Sequence, residues 1–196
     1  MSVLLIAGSP SERSRTTALL EAAGQRLERR GVRVERLRVR DLSPQALILA
    51  DFGHRSISQA TGQVAQAQVI VVATPVYKAA CSGVLKVFLD LLPQDALAGK
   101  TVLPLATGGS AHHMLALDYA LRPVLQSLGA RHILSGIFAT EAQVLLSPEG
   151  AYSVAPDIGA RLDAAVDILL AETLRQSLAH AGRFASVHFS QVRCSV

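Results

Sequence analysis

The chain has 196 residues, of which half are hydrophobic and 17% are charged, and its formal net charge is +4. This length predicts one domain that buries about 70% of its unfolded surface, and the low charged fraction excludes disorder for the bulk of the chain. The longest unbroken apolar stretches have five residues. A membrane helix needs about 20, so we expect no contact with a membrane.

The positive charge is concentrated in one segment. Residues 26–40 hold seven arginines and two glutamates, whereas the whole chain has only eight aromatic residues. Nucleic-acid binding by base stacking needs aromatic platforms, and arginines at a helix end are already favoured by the helix dipole. We therefore interpret this segment as a solvated polar face and expect no nucleic-acid partner.

The cysteine content and the N-terminus indicate a cytoplasmic protein. Cys81 and Cys194 are the two cysteines, and they lie too far apart in the chain to suggest a disulfide framework. Met1 leads directly into a strand-like run without a charged region before it, so we expect no signal peptide.

The first half of the chain alternates between strand and helix patterns. The apolar run that ends at Gly8 is typical of a strand buried on both faces. The elements predicted here are a strand at 3–7, a helix that closes at Gly31, a more exposed strand at 33–39, a loop at 40–55, a weaker helix at about 56–68 and a strand at 69–73.

The second half continues the alternation, with two prolines at unusual places. Pro104 falls within a predicted strand, and Pro123 within a predicted helix, where it predicts a kink or a local change of winding. The predicted elements are a helix stopped by Pro93, a strand at 101–106, a helix at 115–129, a strand at 133–139 and a helix from 156 to about 181.

These elements predict an α/β fold, in which a doubly wound five-stranded parallel sheet carries helices on both faces. We assign residues 1–181 to one domain and residues 182–196 to a polar tail. Ligands of such sheets bind outside the carboxyl ends of the strands, so the segments that follow the strands are the candidate site.

The segment after the first strand predicts a phosphate site. Residues 8–17 contain five hydroxyl side chains and two arginines and lead into a helix N-terminus, whose free N–H groups suit an anion. The segment matches neither GxGxxG nor a Walker P-loop. A helix capped by Ser14 or Thr16 is the plainer interpretation.

Two further segments reach the same edge of the predicted sheet. After the third strand, Pro75 stiffens a turn and Tyr77 offers a flat face, and the fourth strand ends in two glycines, Gly108 and Gly109, that allow close approach to the backbone. Each could be an ordinary turn, but a phosphate cradle beside a flat slot suits flavin mononucleotide (FMN).

Five motifs carry a resemblance to a known family. They are AGSP at 7–10, ATPVYKAA at 73–80, LDLLP at 89–93, LATGG at 105–109 and LDYALRPV at 117–124. They resemble the NADPH-dependent FMN reductases of two-component alkanesulfonate monooxygenase systems, and the resemblance covers roughly residues 1–180.

The resemblance implies a flavodoxin-like fold and a homotetramer built as a dimer of dimers. It implies that NADPH or NADH reduces FMN, and that the reduced flavin goes to a partner monooxygenase that cleaves carbon–sulfur bonds during sulfur assimilation. Hydride transfer depends on stacking and alignment, so we assign no catalytic acid or base.

The resemblance also assigns residues. Where the family often has an aromatic residue, this chain has Cys81, and Tyr119 matches an inserted residue that forces a π-bulge at the tetramer interface and controls flavin transfer. The phosphate residues are Ser9, Ser11, Ser14, Arg15, Thr16 and Thr17; those along the isoalloxazine are Pro75, Val76, Tyr77 and Lys78; and Thr107, Gly108 and Gly109 lie at its other edge.

Two alternatives to a flavin reductase stay open. One is a flavodoxin-type electron carrier, although such carriers are usually acidic and rich in aromatics at the flavin. The other is a quinone or azo-dye reductase that retains its FMN. We predict no metal site, because the adjacent His112 and His113 point in different directions and no ligand pattern accompanies them.

Overall fold

The computed structural model describes residues 1–147 and 151–181. The strands are β1 (Ser2–Ala7), β2 (Arg33–Arg38), β3 (Val69–Pro75), β4 (Thr101–Gly108), β5 (His132–Ile133), β6 (Ile137–Thr140), β7 (Val144–Leu146) and β8 (Tyr152–Val154). The α-helices are α1 (Arg15–Arg29), α2 (Pro44–Ile48), α3 (Arg55–Gln66), α4 (Gly83–Asp90), α5 (Arg122–Ser127) and α6 (Pro156–Ala181). The predicted tail at 182–196 lies outside the described residues.

The main sheet is parallel and has the strand order β2-β1-β3-β4-β5, with β6 also paired to β4. This is the flavodoxin-like order, in which β2 is added on one side of β1 and the later strands on the other, so that the switch point lies between β1 and β3. The predicted doubly wound sheet is therefore confirmed. All seven residues of β3 are buried, because this central strand has helices on both faces.

Two hydrophobic cores lie on opposite faces of the sheet. On one face Val71 of β3 packs in a cluster with Leu19 of α1 and Leu162 of α6. On the other face Val72 packs in a cluster that includes Ile57 of α3 and other residues from α2, α4 and α5. Successive side chains along each strand thus pack into opposite cores, and the sheet lies between two layers of helices.

The fifth strand was predicted as continuous over 133–139, and this prediction was wrong. Val102 of β4 pairs with Ile133, and Leu105 pairs with Ile137, so two residues of β4 lie opposite three residues, 134–136. One of those two is Pro104, which has no N–H to donate to a neighbouring strand. The extra residue forms a bulge opposite Pro104, where β4 has no N–H to donate. This bulge interrupts the pairing with β4 and so separates β5 from β6.

The predicted loop at 40–55 was also wrong in part. It contains a short 3₁₀ helix (Val39–Asp41) and α2, whose first turn has Pro44 after the capping residue Ser43. The Ser43 hydroxyl accepts a hydrogen bond from the N–H of Ala46, and proline suits a first helical position because its missing N–H needs no partner there.

The predicted helix at 115–129 has three kinds of winding. A 3₁₀ helix (Ala111–Leu115) is followed by a π-helix (Leu117–Leu121) and then by α5. The change of winding expected near Pro123 is therefore confirmed, and it lies just before that proline. Within the described part of the chain, no helix has the length and apolar character needed to cross a bilayer.

Candidate functional site

The carboxyl ends of β1, β3 and β4 meet at a cavity of about 150 Å³. Its lining residues come from the β1–α1 loop and the first turn of α1, from the ends of β3 and β4 and the residues directly after them, and from the residue after β6. They are Ser9, Ser11, Arg13, Ser14, Arg15, Thr16, Pro75, Val76, Tyr77, Thr107, Gly108, Gly109 and Glu141. The predicted site residues therefore come together here, except Thr17 and Lys78, which lie outside this lining.

The β1–α1 loop is held tightly against the sheet. The N–H of Gly8 donates to the carbonyl of Ala73 at 2.8 Å, and the Ser82 hydroxyl donates to the carbonyl of Gly8. A Cβ at Gly8 would approach the Cβ of Leu85 to 2.8 Å, so only glycine fits between the loop and α4. These contacts fix the start of the loop at Gly8.

Ser14 caps α1 and lines the cavity at the same time. Its hydroxyl accepts a hydrogen bond from the N–H of Thr17 at 3.3 Å, and the Ser9 hydroxyl accepts one from the N–H of Ser11 at 3.2 Å. The first N–H groups of a helix have no partner within the helix, and the positive end of its dipole favours an anion there. The capping interpretation and the phosphate interpretation of this segment are therefore compatible.

A tight turn follows β3 and is strained. Tyr77 and Ala80 exchange two backbone hydrogen bonds of 3.0 and 3.1 Å, and the residues between them, Lys78 and Ala79, have φ of 49° and 63°. Positive φ at both central positions costs a non-glycine residue about 1–3 kcal/mol each, and such strain concentrates at functional sites. The turn places Tyr77, with half of its side chain exposed, in the cavity wall.

The two glycines after β4 have different roles. A Cβ at Gly108 would meet the Phe138 ring at 3.1 Å, so a larger residue here would require the ring to move by a few tenths of an ångström. At Gly109 the nearest atom to such a Cβ is Oε1 of Glu141, at 3.9 Å. The backbone at Gly109 therefore stays open toward the cavity, as the sequence predicted for a close approach by a ligand.

Arg13 and Glu141 also line the cavity. Arg13 is one of the two arginines counted in residues 8–17 but was not assigned to the site, and Glu141 was missed from the sequence. Glu141 follows β6 directly, and its carboxylate Oε2 lies 3.5 Å from Nη1 of Arg15. Arg13 donates a hydrogen bond to the carbonyl of Ser147. Glu141 could have been found by the same rule as the other residues, since it comes two residues after the predicted fifth strand.

Cys81 lies beside the site, and its thiol is half-buried. It is half-buried against the core and directly follows the turn at 77–80. Burial raises the pKa of its thiol above the ordinary value. At neutral pH the thiol of Cys81 is therefore mainly protonated, and burial outweighs the opposing effect of Lys86.

The two adjacent histidines lie in the exposed 3₁₀ helix (Ala111–Leu115). Across residues 1–147 and 151–181, no group of three or more His, Cys, Asp and Glu side chains could hold a metal ion. His112 and His113 are solvent-exposed and lie shortly after the carboxyl end of β4.

The cavity has the chemistry that FMN requires. Hydroxyl groups and two guanidinium groups converge at a helix N-terminus, which suits a phosphate, and Ser9, Thr16 and Thr107 are buried there although they are polar. Beside them, Val76, Tyr77 and the open backbone at Gly109 form apolar and flat walls. The residues present therefore fit a phosphorylated flavin.

The fold and the site together define a flavodoxin-like α/β protein with a cavity at the carboxyl ends of β1, β3 and β4. The chain belongs to the NADPH-dependent FMN reductase family, whose sequence profile matches residues 1–165. The family membership predicted from the motifs is confirmed.

Individual relatives agree with this membership. The chain is 46% identical over 167 residues to FMN reductase (NADPH) of Escherichia coli K12, covering 85% of this chain and 87% of that protein. It is 54% identical over 144 residues to FMN reductase (NADPH) of Pseudomonas putida KT2440, covering 74% and 73%. The solved apo form of NADH:FMN oxidoreductase (EMOB) superimposes with a TM-score of 0.78 at 42% identity, covering 89% of each chain.

Proposed function

We propose that the protein reduces FMN with NADPH or NADH and releases the reduced flavin. The observation that carries this proposal is the cavity at the carboxyl edge, where a hydroxyl- and arginine-rich helix N-terminus adjoins a flat wall. The names of the relatives support it, including the NADH-dependent FMN reductase SfnE of Pseudomonas putida, which is 36% identical over 153 residues.

The phosphate of the flavin would be held by the β1–α1 loop. Arg15 would supply a charge-assisted hydrogen bond, while hydroxyls and helix N–H groups would donate hydrogen bonds to the remaining phosphate oxygens. The residues assigned to this role are Ser9, Ser11, Ser14, Arg15, Thr16 and Thr17. Thr17 would act indirectly, because its N–H donates to the hydroxyl of Ser14 and so holds that side chain at the start of α1.

The ring system would lie between the turn after β3 and the end of β4. When bound, FMN supplies the acceptor for hydride from the reduced nicotinamide. The chain's own task is to orient the two rings and to exclude water. The residues assigned to this task are Pro75, Val76, Tyr77, Lys78, Thr107, Gly108 and Gly109.

The route of the product is also part of the proposal. We infer that the protein assembles as a homotetramer and passes FMNH₂ to a partner monooxygenase of sulfonate sulfur assimilation in the cytoplasm. The exposed apolar side chains of Met114, Leu115 and Tyr119 support self-association at the 3₁₀ and π-helical segment. We propose that Tyr119, within the π-helix, controls the transfer of flavin.

The carrier and quinone-reductase alternatives receive no specific support. A flavodoxin of Streptococcus pneumoniae and an NADH-azoreductase of Bacillus anthracis superimpose with TM-scores of 0.60 and 0.59, but at only 13% and 14% identity. These similarities concern the fold alone.

Steady-state oxidation of NADPH and NADH, measured with and without added FMN, tests the proposal. We expect rapid oxidation that saturates with free FMN and yields protein without flavin after gel filtration. Slow oxidation with added FMN would favour the electron carrier. Flavin retained through gel filtration, together with strong quinone turnover, would favour the quinone reductase.

A further inference from the structure

The cavity that would hold the flavin phosphate contains a carboxylate. Among the described residues that line it, Glu141 alone is acidic, and the others include two arginines and several hydroxyl residues. Carboxylates repel phosphate, so an acidic side chain is unexpected in a site built to bind an anion.

The backbone and Arg15 both position this carboxylate over the site. The N–H of Glu141 donates to the carbonyl of Gly108 at 3.2 Å, which fixes the residue at the end of β6. Its Oε2 then lies 3.5 Å from Nη1 of Arg15, and its Oε1 lies 3.9 Å from the Cβ position of Gly109. Glu141 thus reaches both the guanidinium and the open backbone at the cavity.

The ion pair gives little to the stability of the fold. Both side chains are substantially exposed, at 42% for Arg15 and 58% for Glu141, and exposed pairs contribute little because water screens them. The same ion pair has a larger effect on the affinity for a bound phosphate. Arg15 must share its donors between Glu141 and the phosphate, and the carboxylate also repels the phosphate directly.

We propose that Glu141 lowers the affinity of the site for FMN by competing with the flavin phosphate for Arg15. This inference rests on the proposed function, in which flavin must leave the protein once it is reduced. A flavin held by an arginine whose charge is partly neutralised by Glu141 dissociates more readily. Glu141 therefore acts through Arg15 on affinity and has no role in the hydride transfer itself.

The opposite role for Glu141 has a distinct signature. If its carboxylate accepted a hydrogen bond from the ribityl chain or the ring of the flavin, it would raise the affinity for every flavin. Riboflavin has no phosphate and therefore separates the two roles, because competition for Arg15 affects only the phosphorylated flavin.

The experiment measures dissociation constants of FMN and riboflavin by quenching of flavin fluorescence at low salt. We expect Glu141→Gln to tighten FMN about three- to tenfold and to leave riboflavin nearly unchanged. The gain should be smaller in the Arg15→Ala background, where only direct repulsion remains. It should also shrink as salt is added.

A matched control removes a carboxylate near the amino ends of the strands, at the opposite end of the sheet from the cavity. Glu172 precedes Thr173, whose hydroxyl lies 3.5 Å from that of Thr101 at the start of β4, far from the carboxyl ends of the strands. Glu172→Gln changes the net charge as Glu141→Gln does, and we expect it to leave both dissociation constants unchanged. Equal tightening by the two variants would overturn the proposal.

Other outcomes also decide the question. FMN affinity that is unchanged or weakened in Glu141→Gln, or an equal change for riboflavin, would overturn the inference while leaving the proposed function intact. Conversely, a wild-type protein that binds FMN but oxidises neither NADPH nor NADH with it would overturn the proposed function. The binding comparison would still decide the role of Glu141, because it needs no turnover.

Discussion

The hydroxyl groups of Thr16 and Thr107 hydrogen-bond each other at 2.5 Å, although 91 residues separate them in the chain. Thr16 lies in the first turn of α1, at the end of the cavity where we propose that the phosphate binds, and Thr107 lies near the end of β4, where we propose that the flavin ring binds. Both are buried, at 1% and 5% exposure. This bond therefore joins the first turn of α1 to the end of β4, and both of these elements line the candidate site.

The threonine pair is predicted to contribute to stability. Thr107→Val leaves the Thr16 hydroxyl buried without its partner, which should lower the free energy of unfolding by about 1–3 kcal/mol. The double variant Thr16→Val with Thr107→Val should cost less than the two single changes added, because no orphaned hydroxyl remains. Urea denaturation measures both.

Thr61→Val is the control for the threonine pair, since Thr61 lies on a half-exposed position of α3 and should tolerate the change. A Thr107→Val variant as stable as wild type would show that the hydrogen bond contributes nothing.

Arg15 is predicted to distinguish FMN from riboflavin. Arg15→Ala removes a charge-assisted contact to the phosphate worth roughly 1.5–3 kcal/mol, which corresponds to about a ten- to hundredfold loss in FMN affinity. Riboflavin should lose far less. Arg175→Ala, which removes a charge from α6 far along the chain, should change neither affinity. Equal losses for the two flavins would show that Arg15 acts elsewhere.

Cys81 is predicted to react slowly with alkylating reagents at neutral pH. Because burial raises its pKa, the thiolate fraction at pH 8 is lower than in an ordinary cysteine. In a Cys194→Ser background, the rate of carboxamidomethylation should rise with pH through a midpoint above that of the same protein in urea.

The midpoint, rather than the rate, is the informative quantity, since restricted access slows alkylation at every pH without moving the midpoint. Coinciding midpoints in the folded and denatured states would contradict the raised pKa of Cys81.

Most of the fold was predictable because parallel sheets leave strong local signals. The continuous apolar run at 69–73 predicts a strand buried on both faces, and β3 is such a strand. The bulge between β5 and β6 was not predictable, because it depends on the register between two strands. Pro104 gave a hint, but only its pairing with the neighbouring strands shows where the missing donor has its effect.

The site was predictable wherever a motif directly follows a strand. The loop after β1 and the glycines after β4 come together at the cavity as expected. The strand pair β7–β8 was missed, because its strands have only three residues each and carry no clear alternation. The contact between Arg13 and Ser147 crosses 134 residues of sequence, so no local pattern could indicate it.

Self-association is predicted to depend on the segment between β4 and the π-helix. Leu115 is 56% exposed there, beside the exposed Met114 and Tyr119. Light scattering of the wild type should give a multiple of the 20.7 kDa chain mass, and Leu115→Glu should reduce that mass by placing a charge in the contact. Leu145→Glu, at an equally exposed leucine of β7, should not. A monomeric wild type at micromolar concentration would refute the prediction.

Tyr119 is predicted to make flavin a passing substrate. It lies within the π-helix (Leu117–Leu121), and its side chain is 79% exposed in the single chain. A π-helix has hydrogen bonds between residues i and i+5, so its turn contains one inserted residue compared with an α-helix. Such insertions are found mostly at functional sites. Deleting Tyr119 removes the extra residue, so the segment should rewind as an α-helix.

The rewinding is compatible with the neighbouring contacts. Nε of Arg122 donates to Oδ1 of Asp118 at 3.0 Å, and deletion of Tyr119 changes their spacing from four residues to three, which still places them on one helix face. A folded variant is therefore expected.

The purified deletion variant should retain FMN through gel filtration and lose turnover with free flavin, because the flavin no longer leaves. Tyr119→Phe is the matched control: it keeps the residue count and so the π-helix, and it should purify without flavin. A deletion variant that is flavin-free and has normal FMN reductase activity would show that Tyr119 only packs.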